Sequence, residues 1–238
     1  MSDVYKKLLG EEWYQILKPI IDNGLIPDIA KKVNGCRKNR VVIPPKSSYT
    51  MFRAFRETPY SKVKIVILGQ DPFHSYEGDI PVFDGLAFSN GNSHHISPSL
   101  RNILKELENS QSDGLNLKLS AKRDLTPWAT QGVLLINTAH SVIKGQPGSH
   151  LHLWKDFTAY VLKKLNEKHG LIWLLWGQKS INYKKYITNR THATICTSHP
   201  SPFSADNSVG EYPAFIGSNC FNTANEELNA RNISKIVW

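Results

Sequence analysis

Four short apolar runs predict four β-strands, at residues 63–68, 133–136, 171–177 and 193–197. The third run is apolar almost throughout, which is typical of a strand that is covered on both faces of a sheet. Apolar residues at helical spacing lie between the runs, as at Leu100, Ile103, Leu104 and Leu107. This alternation predicts an α/β fold, a three-layer α/β/α sandwich around a central four-stranded parallel twisted sheet.

The pattern around these strands predicts the remaining elements. Residues from about 4 to 34 are expected to form two or three short helices that break near Pro19 and Pro27, and an extended entry is expected at 41–45. Further helices are expected at 49–57, after Pro98 with Ser97 or Ser99 as N-cap, from Pro127, and at 154–169, 179–187 and 219–230. Polar stretches rich in glycine and proline predict loops at 75–84, 94–99, 109–126 and 141–152.

No Gly/Ser linker or shift in composition divides the 238 residues. We therefore expect a single domain over residues 1–238, with about 1–40 as an N-terminal helical scaffold and 41–238 as the catalytic core. Nothing in the sequence suggests an oligomer, so a monomer is expected.

Charge and cysteine content narrow the class of protein. Lys and Arg number 29 against 20 Asp and Glu, and the formal net charge of +9 favours a polyanionic partner without requiring one. The three cysteines are far apart and form no CxxC pair, so neither a disulfide framework nor a structural zinc site is indicated. No signal peptide or membrane-spanning run is present, so an intracellular, reduced and soluble protein is expected.

Polar side chains follow three of the predicted strands. Asp71 lies in the turn after the first strand, Asn137 ends the second, and His199 follows the fourth. Because the carboxyl ends of parallel strands meet at one edge of a sheet, we expect the three side chains to lie close together. Each alone also has an ordinary explanation, as a helix-capping aspartate, a turn asparagine or a hydrogen-bonded histidine.

Six motifs then occur in a characteristic order. They are GQDPFH at 69–74, GLAFS at 85–89, PSL at 98–100 followed by KELEN at 105–109, QGVLLINT at 131–138, LLWG at 174–177 and HPSPFS at 199–204. From about residue 41 to 225 the chain resembles the uracil-DNA glycosylases of family 1, the principal uracil-excising class. The first and last motifs are the most specific.

The resemblance implies a role for each residue of the expected site. Asp71 would stabilise the cationic sugar and orient the attacking water, and His199 would donate a hydrogen bond to O2 of the departing uracil. Asn137 would pair with the edge of the uracil base, whereas cytosine presents the opposite donor and acceptor pattern. Gln70 and Phe88 would bind the base, Phe88 by stacking, and Phe73 would crowd C5 and exclude the methyl group of thymine.

The resemblance also implies how DNA is held. Ser99 and Ser201 would grip phosphates, and Phe203 would enter the base stack as a wedge. The implied partner is uracil-containing DNA, single- or double-stranded, with a proteinaceous glycosylase inhibitor as a possible occupant of the DNA groove. No cofactor and no metal ion are implied, and no membrane association. The expected compartment is the cytoplasm, or the nucleus for a eukaryotic or nuclear viral source.

Several positions depart from the family pattern. Phe73 stands where tyrosine is usual, Phe203 where leucine is usual, and Pro98 is the only proline left directly before Leu100. The connection between His74 and Gly85 is longer than usual and lacks a Gly-Pro-Gly sequence. Two alternatives therefore remain open: a catalytically weak relative that serves as a DNA-binding or replication-accessory protein, and a glycosylase of shifted substrate range.

Overall fold

A computed structural model describes residues 2–110 and 123–238, and a parallel four-stranded sheet forms its centre. The helices are α1 (Ser2–Leu9), α2 (Glu11–Asp22), α3 (Leu25–Cys36), α4 (Arg53–Glu57), α5 (Pro98–Ser110), α6 (Thr126–Thr130), α7 (Leu151–Asn166), α8 (Gln178–Ile181) and α9 (Cys220–Ala230). The strands are β1 (Val42–Ile43), β2 (Ile65–Gly69), β3 (Tyr76–Glu77), β4 (Ile80–Pro81), β5 (Val133–Asn137), β6 (Val142–Ile143), β7 (Ile172–Trp176) and β8 (Ala193–Thr197). Short 3-10 helices lie at Tyr60–Lys62 and Asn182–Tyr186.

The central sheet has the strand order β5-β2-β7-β8, and all its neighbouring strands are parallel. Every residue of β2, β5 and β7 is buried, because helices flank the sheet and cover these apolar strands. The structure thus confirms the predicted sandwich and all four predicted strands, with small differences at their ends. All four strands run in one direction, so their carboxyl ends form a common rim.

The N-terminal helices are three in number but break at other positions than predicted. The breaks fall at Gly10 and at Asn23-Gly24, and both glycines have positive φ. Pro19 lies inside α2. Pro27 lies in the first turn of α3, where N–H groups have no acceptor within the helix, so the N–H that proline lacks costs no helical hydrogen bond.

Two segments that were predicted as loops contain short strands. Residues 75–84 include the hairpin β3-β4, and residues 141–152 include β6, which pairs antiparallel with β1 in the predicted extended entry. Strands of two residues are too short to produce an alternating pattern, so sequence periodicity does not detect them. The predicted loop at 109–126 begins and ends inside helices α5 and α6, and its residues 111–122 lie outside the described part of the chain.

Several helix boundaries also differ from the predictions. The predicted helix at 49–57 is reduced to α4, and the one at 179–187 is α8 followed by a 3-10 helix. Helix α7 starts three residues earlier than predicted and ends three residues earlier. Ser97 rather than Ser99 caps α5, because its Oγ accepts the Leu100 N–H at 3.4 Å.

One apolar core extends from Leu9 to Trp238 and includes residues of the N-terminal helices. Trp13 of α2 is fully buried, and its indole N–H donates to the carbonyl of Thr58 at 2.8 Å. Its ring also contacts Phe55 and Tyr60 edge to face. The N-terminal helices are therefore part of the same core that supports the sheet.

Candidate active site

The rim of the sheet brings Asp71, Asn137 and His199 together as predicted, since they follow β2, end β5 and follow β8. Gly69, the last residue of β2, is paired with Asn137 in the sheet. A Cβ at Gly69 would collide with the Asn137 side-chain oxygen, so only glycine permits this close approach. Asn137 is 5% exposed, and no described residue hydrogen-bonds to its amide. Its donor and acceptor thus stay available for a ligand.

Two donors fix the Asp71 carboxylate. Its Oδ2 accepts the backbone N–H of Gly148, and its Oδ1 accepts a hydrogen bond from the Gln70 amide at 3.1 Å. Burial raises the pKa of Asp71, and these hydrogen bonds, together with the charges of His74 and Lys179, oppose that rise. The result is a partly desolvated carboxylate with a set direction, which can stabilise a developing positive charge.

His199 is held as a neutral ring. Its Nδ1 accepts the Ser201 backbone N–H at 3.0 Å, which assigns the proton of the neutral imidazole to Nε2. Burial and, to a smaller extent, the positive charge of Lys179 together lower its pKa to about 4. At neutral pH His199 therefore offers one Nε2–H donor.

Gly177, which follows β7, makes room for His199. It has a φ of +85°, and a Cβ there would lie 2.7 Å from the Cβ of His199. The LLWG motif thus ends in a glycine because the imidazole packs directly against its backbone.

Phe88 lies beside His199 in a loop that a buried carboxylate organises. The Phe88 ring centroid is 5.4 Å from Trp176 and 6.1 Å from His199, and its φ is 66°. Such a φ is uncommon outside glycine and needs support from the surroundings.

Asp84 provides that support. Its carboxylate accepts the N–H groups of Leu86 and Gly91 at 3.1 and 2.8 Å and the Ser89 hydroxyl at 2.6 Å. It also pairs with Arg53 at 3.3 Å, and burial raises its pKa. Sequence reasoning missed Asp84, although its place directly before GLAFS was a usable signal, since aspartate commonly binds nearby backbone N–H groups.

Phe73 lies half-buried in the turn after Asp71, where its ring is stacked on two histidine rings. The ring centroids of His74 and His95 are each 5.7 Å from that of Phe73, with interplanar angles of 21° and 25°. His95 was not singled out from the sequence.

The predicted DNA-binding residues come from the first turn of α5 and from the HPSPFS loop, which are in contact. The Asn102 amide of α5 donates to the Pro200 carbonyl at 2.9 Å, which ties the helix that carries Ser99 to the HPSPFS segment. Ser201 is half-buried, with its Oγ 3.4 Å from that of Ser204. Phe203 is 94% exposed. Such exposure of a large apolar side chain on a proline-stiffened loop suits contact with a partner.

A cavity of about 740 Å³ adjoins this rim. Its walls include Gln70, His199, Ser201, Lys155 and Lys179. No Asp or Glu among the described residues lines it. Asn137 and Phe88 do not line the cavity, so the cavity lies beside these two side chains and does not enclose them.

Two further properties concern the described part of the chain. No group of three or more His, Cys, Asp or Glu side chains there is arranged to hold a metal ion. None of the helices in residues 2–110 and 123–238 is long and apolar enough to cross a membrane.

The rim thus combines a fixed carboxylate, a neutral imidazole donor, a free buried amide and an aromatic ring. An aromatic ring and an amide suit the binding of a planar base by stacking and by hydrogen bonds to its edge. When a bond cleavage leaves positive charge on one fragment and negative charge on the other, a carboxylate can stabilise the positive fragment and a hydrogen-bond donor the negative one. These features define an α/β protein that acts on a nucleobase.

Comparison with known proteins identifies the family. The family profile described as the uracil DNA glycosylase superfamily matches residues 55–229, and the chain belongs to that family. A uracil-DNA glycosylase of Borrelia hermsii is 36% identical over 233 residues, which cover 96% of this chain and 97% of the relative. Uracil-DNA glycosylase 1 of Listeria innocua is 40% identical over 228 residues, which cover 95% and 96%.

Solved structures agree with the sequence relatives. The crystal structure of mimivirus uracil-DNA glycosylase superposes with a TM-score of 0.86 at 29% identity, covering 98% of this chain and 88% of that one. A variant of the mimivirus protein in complex with UGI matches equally well, with a TM-score of 0.86 and 29% identity, covering 98% of this chain and 90% of that one.

Proposed function

We propose that this protein is a uracil-DNA glycosylase. It flips uracil out of DNA, hydrolyses the N-glycosidic bond and leaves an abasic site, which starts base-excision repair. The observation that carries the proposal is the meeting of Asp71, Asn137 and His199 at one rim of the sheet, in a chain that belongs to this family. Relatives at 36–40% identity bear the enzyme's name, which favours an active glycosylase over a replication-accessory protein.

Recognition of uracil rests on Asn137 and the rings around it. An extruded uracil presents N3–H as donor and O4 as acceptor, and the free Asn137 amide matches both. Cytosine would leave buried polar groups unpaired, at about 1–3 kcal/mol for each group. Phe88 stacks on the base, Gln70 binds it beside Asp71, and Phe73 blocks substituents at C5.

Cleavage rests on Asp71 and His199. As the glycosidic bond breaks, the Asp71 carboxylate stabilises the positive charge of the sugar and orients the water that attacks it. The Nε2–H of neutral His199 donates to O2 of the departing uracil and stabilises its negative charge. Because the uracil anion is a tolerable leaving group, the mechanism needs neither a covalent enzyme intermediate nor a metal ion.

DNA is held by groups next to the rim. Ser99 and Ser201 bind phosphates on either side of the extruded nucleotide, and Phe203 fills the gap that the base leaves. The net charge of +9 adds a sequence-independent attraction. A protein inhibitor is a further proposed partner of this surface, and a variant of the similar mimivirus protein has a crystal structure in complex with UGI.

We also treat residues 1–238 as one catalytic domain with residues 1–40 as its helical scaffold. The single core from Leu9 to Trp238 supports this assignment. The proposed compartment is that of the DNA substrate, the cytoplasm or, for a eukaryotic or nuclear viral source, the nucleus.

The direct test is uracil release from a labelled single-uracil oligonucleotide in the presence of EDTA. Oligonucleotides with thymine or cytosine at the same position serve as controls. Rapid release from the uracil substrate alone is expected. Intact DNA binding without any release would favour the accessory protein, and release of thymine would favour a shifted substrate range.

A further inference from the structure

Three departures from the family pattern lie next to one another in space. They are Phe73, the long connection that forms the hairpin β3-β4, and the loop before Leu100, in which Pro98 is the only proline directly before the leucine and which includes His94 and His95. Direct contacts join these three parts of the chain. The loop before Pro98 contacts Phe73 through the ring of His95.

The hairpin is anchored to the body of the protein through Tyr76. This ring packs against a small buried cluster of Ile43, Phe83 and Val142, and the ammonium group of Lys144 lies 4.8 Å from the ring centroid. The backbone N–H of Val82 closes the base of the hairpin by donating to the Ser75 carbonyl at 3.1 Å. The hairpin can therefore act as a fixed support.

That support holds the loop which carries His95. The Glu77 carboxylate of the hairpin accepts the backbone N–H of His94 at 2.6 Å. On the other side of the loop, the Ser97 N–H donates to the buried Asn90 side chain at 2.8 Å. Because His95 lies between these two anchors, its backbone is fixed although its side chain is exposed.

The His95 imidazole is stacked on the Phe73 ring, at 5.7 Å between centroids and 25° between planes. This is the offset-stacked geometry that aromatic pairs favour. Phe73 has no hydroxyl group, so only packing can fix the direction of its half-buried ring. A tyrosine ring at this position can be held by a hydrogen bond from its hydroxyl group, whereas the orientation of the Phe73 ring depends on the side chains packed against it.

We propose that His95 is a positioning residue for base selection, which holds the Phe73 ring in the place where it excludes C5-substituted pyrimidines. The inference rests on the proposed function, because it assumes that Phe73 faces C5 of the bound base. Glu77 belongs to the same device, since its carboxylate fixes the loop. His95 and Glu77 would thereby help to discriminate uracil from bases that carry a methyl group or a larger substituent at C5.

The test compares excision of uracil, 5-fluorouracil and thymine from matched oligonucleotides, under single-turnover conditions with enzyme in excess. His95→Ala should raise the thymine-to-uracil ratio of rate constants by about 2- to 10-fold, the size expected for loss of one aromatic contact. The ratio for 5-fluorouracil should stay nearly constant, because fluorine is hardly larger than hydrogen. His95→Phe should restore the wild-type ratio, and Glu77→Ala should shift it in the same direction as His95→Ala.

His94→Ala is the matched control, because it removes the same kind of exposed side chain from the neighbouring position. The His94 ring stacks on no other ring among the described residues, and the alanine variant keeps the backbone N–H that binds Glu77. The control should leave the thymine-to-uracil ratio unchanged. Thermal unfolding of each variant separates local effects from loss of the fold.

Phe73→Ala separates failure of this inference from failure of the proposed function. If Phe73→Ala raises thymine excision, and His95→Ala adds nothing in that background, the positioning role is supported. If Phe73→Ala raises thymine excision while His95→Ala alone does not, the inference is overturned and the proposed function stands. If no variant excises even uracil from the matched oligonucleotide and wild type also fails, the proposed function itself is wrong.

Discussion

The protonation of His199 decides what this side chain can do. A histidine with its ordinary pKa would be partly charged in weak acid, whereas burial lowers the pKa of His199 to about 4. The bond from the Ser201 N–H to Nδ1 favours the same neutral form, since a charged ring has no acceptor nitrogen. His199 therefore remains a neutral donor at neutral and weakly acidic pH.

The pH profile of kcat/KM follows from these two groups. We expect no loss of activity near pH 6.5, and an acid limb that appears as Asp71 is protonated, at a pH above the ordinary value of 3.8 because its pKa is raised. His199→Gln should lower the plateau by about 10- to 100-fold and leave the position of the acid limb nearly unchanged. An inflection close to pH 6.5 that this substitution abolishes would show that His199 titrates as an ordinary histidine.

The free energy of unfolding should also depend on the protonation of His199, between pH 6.5 and about 4. The pKa in the folded state lies below the ordinary value of 6.5, so the unfolded chain binds a proton first as the pH falls. The contribution of His199 to the free energy of unfolding is thus present above pH 6.5 and declines between 6.5 and about 4.

The residues of the rim could be predicted because each follows a recognisable strand. Asp71, Asn137 and His199 occupy the carboxyl ends of apolar runs, and parallel strands bring those ends together. Gly148 acts through its backbone N–H, and the Asp84 carboxylate binds the backbone N–H groups of Leu86 and Gly91. Asp71 and Gly148 are 77 positions apart in the chain, and no local pattern announces such a contact.

Among the elements, β7 and the residue that follows it illustrate how secondary structure sets catalytic geometry. The strand ends at Trp176, and Gly177 then turns the chain at a φ of +85° beneath His199. A side chain at position 177 would displace the His199 imidazole, since the two Cβ atoms would be 2.7 Å apart.

Gly177→Ala should therefore lower kcat by at least about 10-fold with a smaller change in DNA affinity, because misplacement of a catalytic group mainly affects the chemical step. Gly210→Ala is the control, since Gly210 also has positive φ, at +57°, but no atom lies within 4 Å of its added Cβ. Single-turnover kinetics and binding titrations on both variants test this. Equal losses in the two would mean that backbone strain, and not the contact with His199, explains the effect.

The elements differ in how well their sequence reveals them. The four central strands have five residues each and are largely apolar; β2, β5 and β7 are fully buried and β8 is partly buried, and their positions follow from hydrophobicity. Strands β1, β3, β4 and β6 have two residues each and depend on tertiary pairing for their existence. The helix breaks near the N-terminus follow glycine and not proline. Pro27 lies in the first turn of α3, where a proline is tolerated, and Pro19 lies inside α2 without ending it.

At the scale of the whole molecule, an exposed aromatic side chain lies beside the rim that we propose binds DNA. Phe203 is 94% exposed, in a loop that α5 holds through the bond between Asn102 and the Pro200 carbonyl. A wedge that replaces a flipped base matters most where bases are stacked in a duplex. The formal charge of +9 attracts single and double strands alike.

Phe203→Ala should thus lower kcat/KM for a duplex substrate by about 10-fold, and by clearly less for the same uracil in a single strand, where little unstacking is needed. Tyr49→Ala provides the control, because Tyr49 is an aromatic residue with 58% exposure outside the HPSPFS loop. Steady-state excision on the paired substrates measures the difference. A loss of the same size on both substrates would contradict the role of Phe203 as a wedge.

The measurement that tests the central claim most directly is single-turnover uracil excision by Asp71→Asn, together with its affinity for uracil-containing DNA. Asp79→Asn, a matched change at an exposed position of the hairpin turn, is the control. We predict that Asp71→Asn lowers the excision rate by at least about 100-fold and changes the DNA affinity little, because the amide cannot stabilise the cationic sugar. Undiminished turnover of Asp71→Asn would contradict the account.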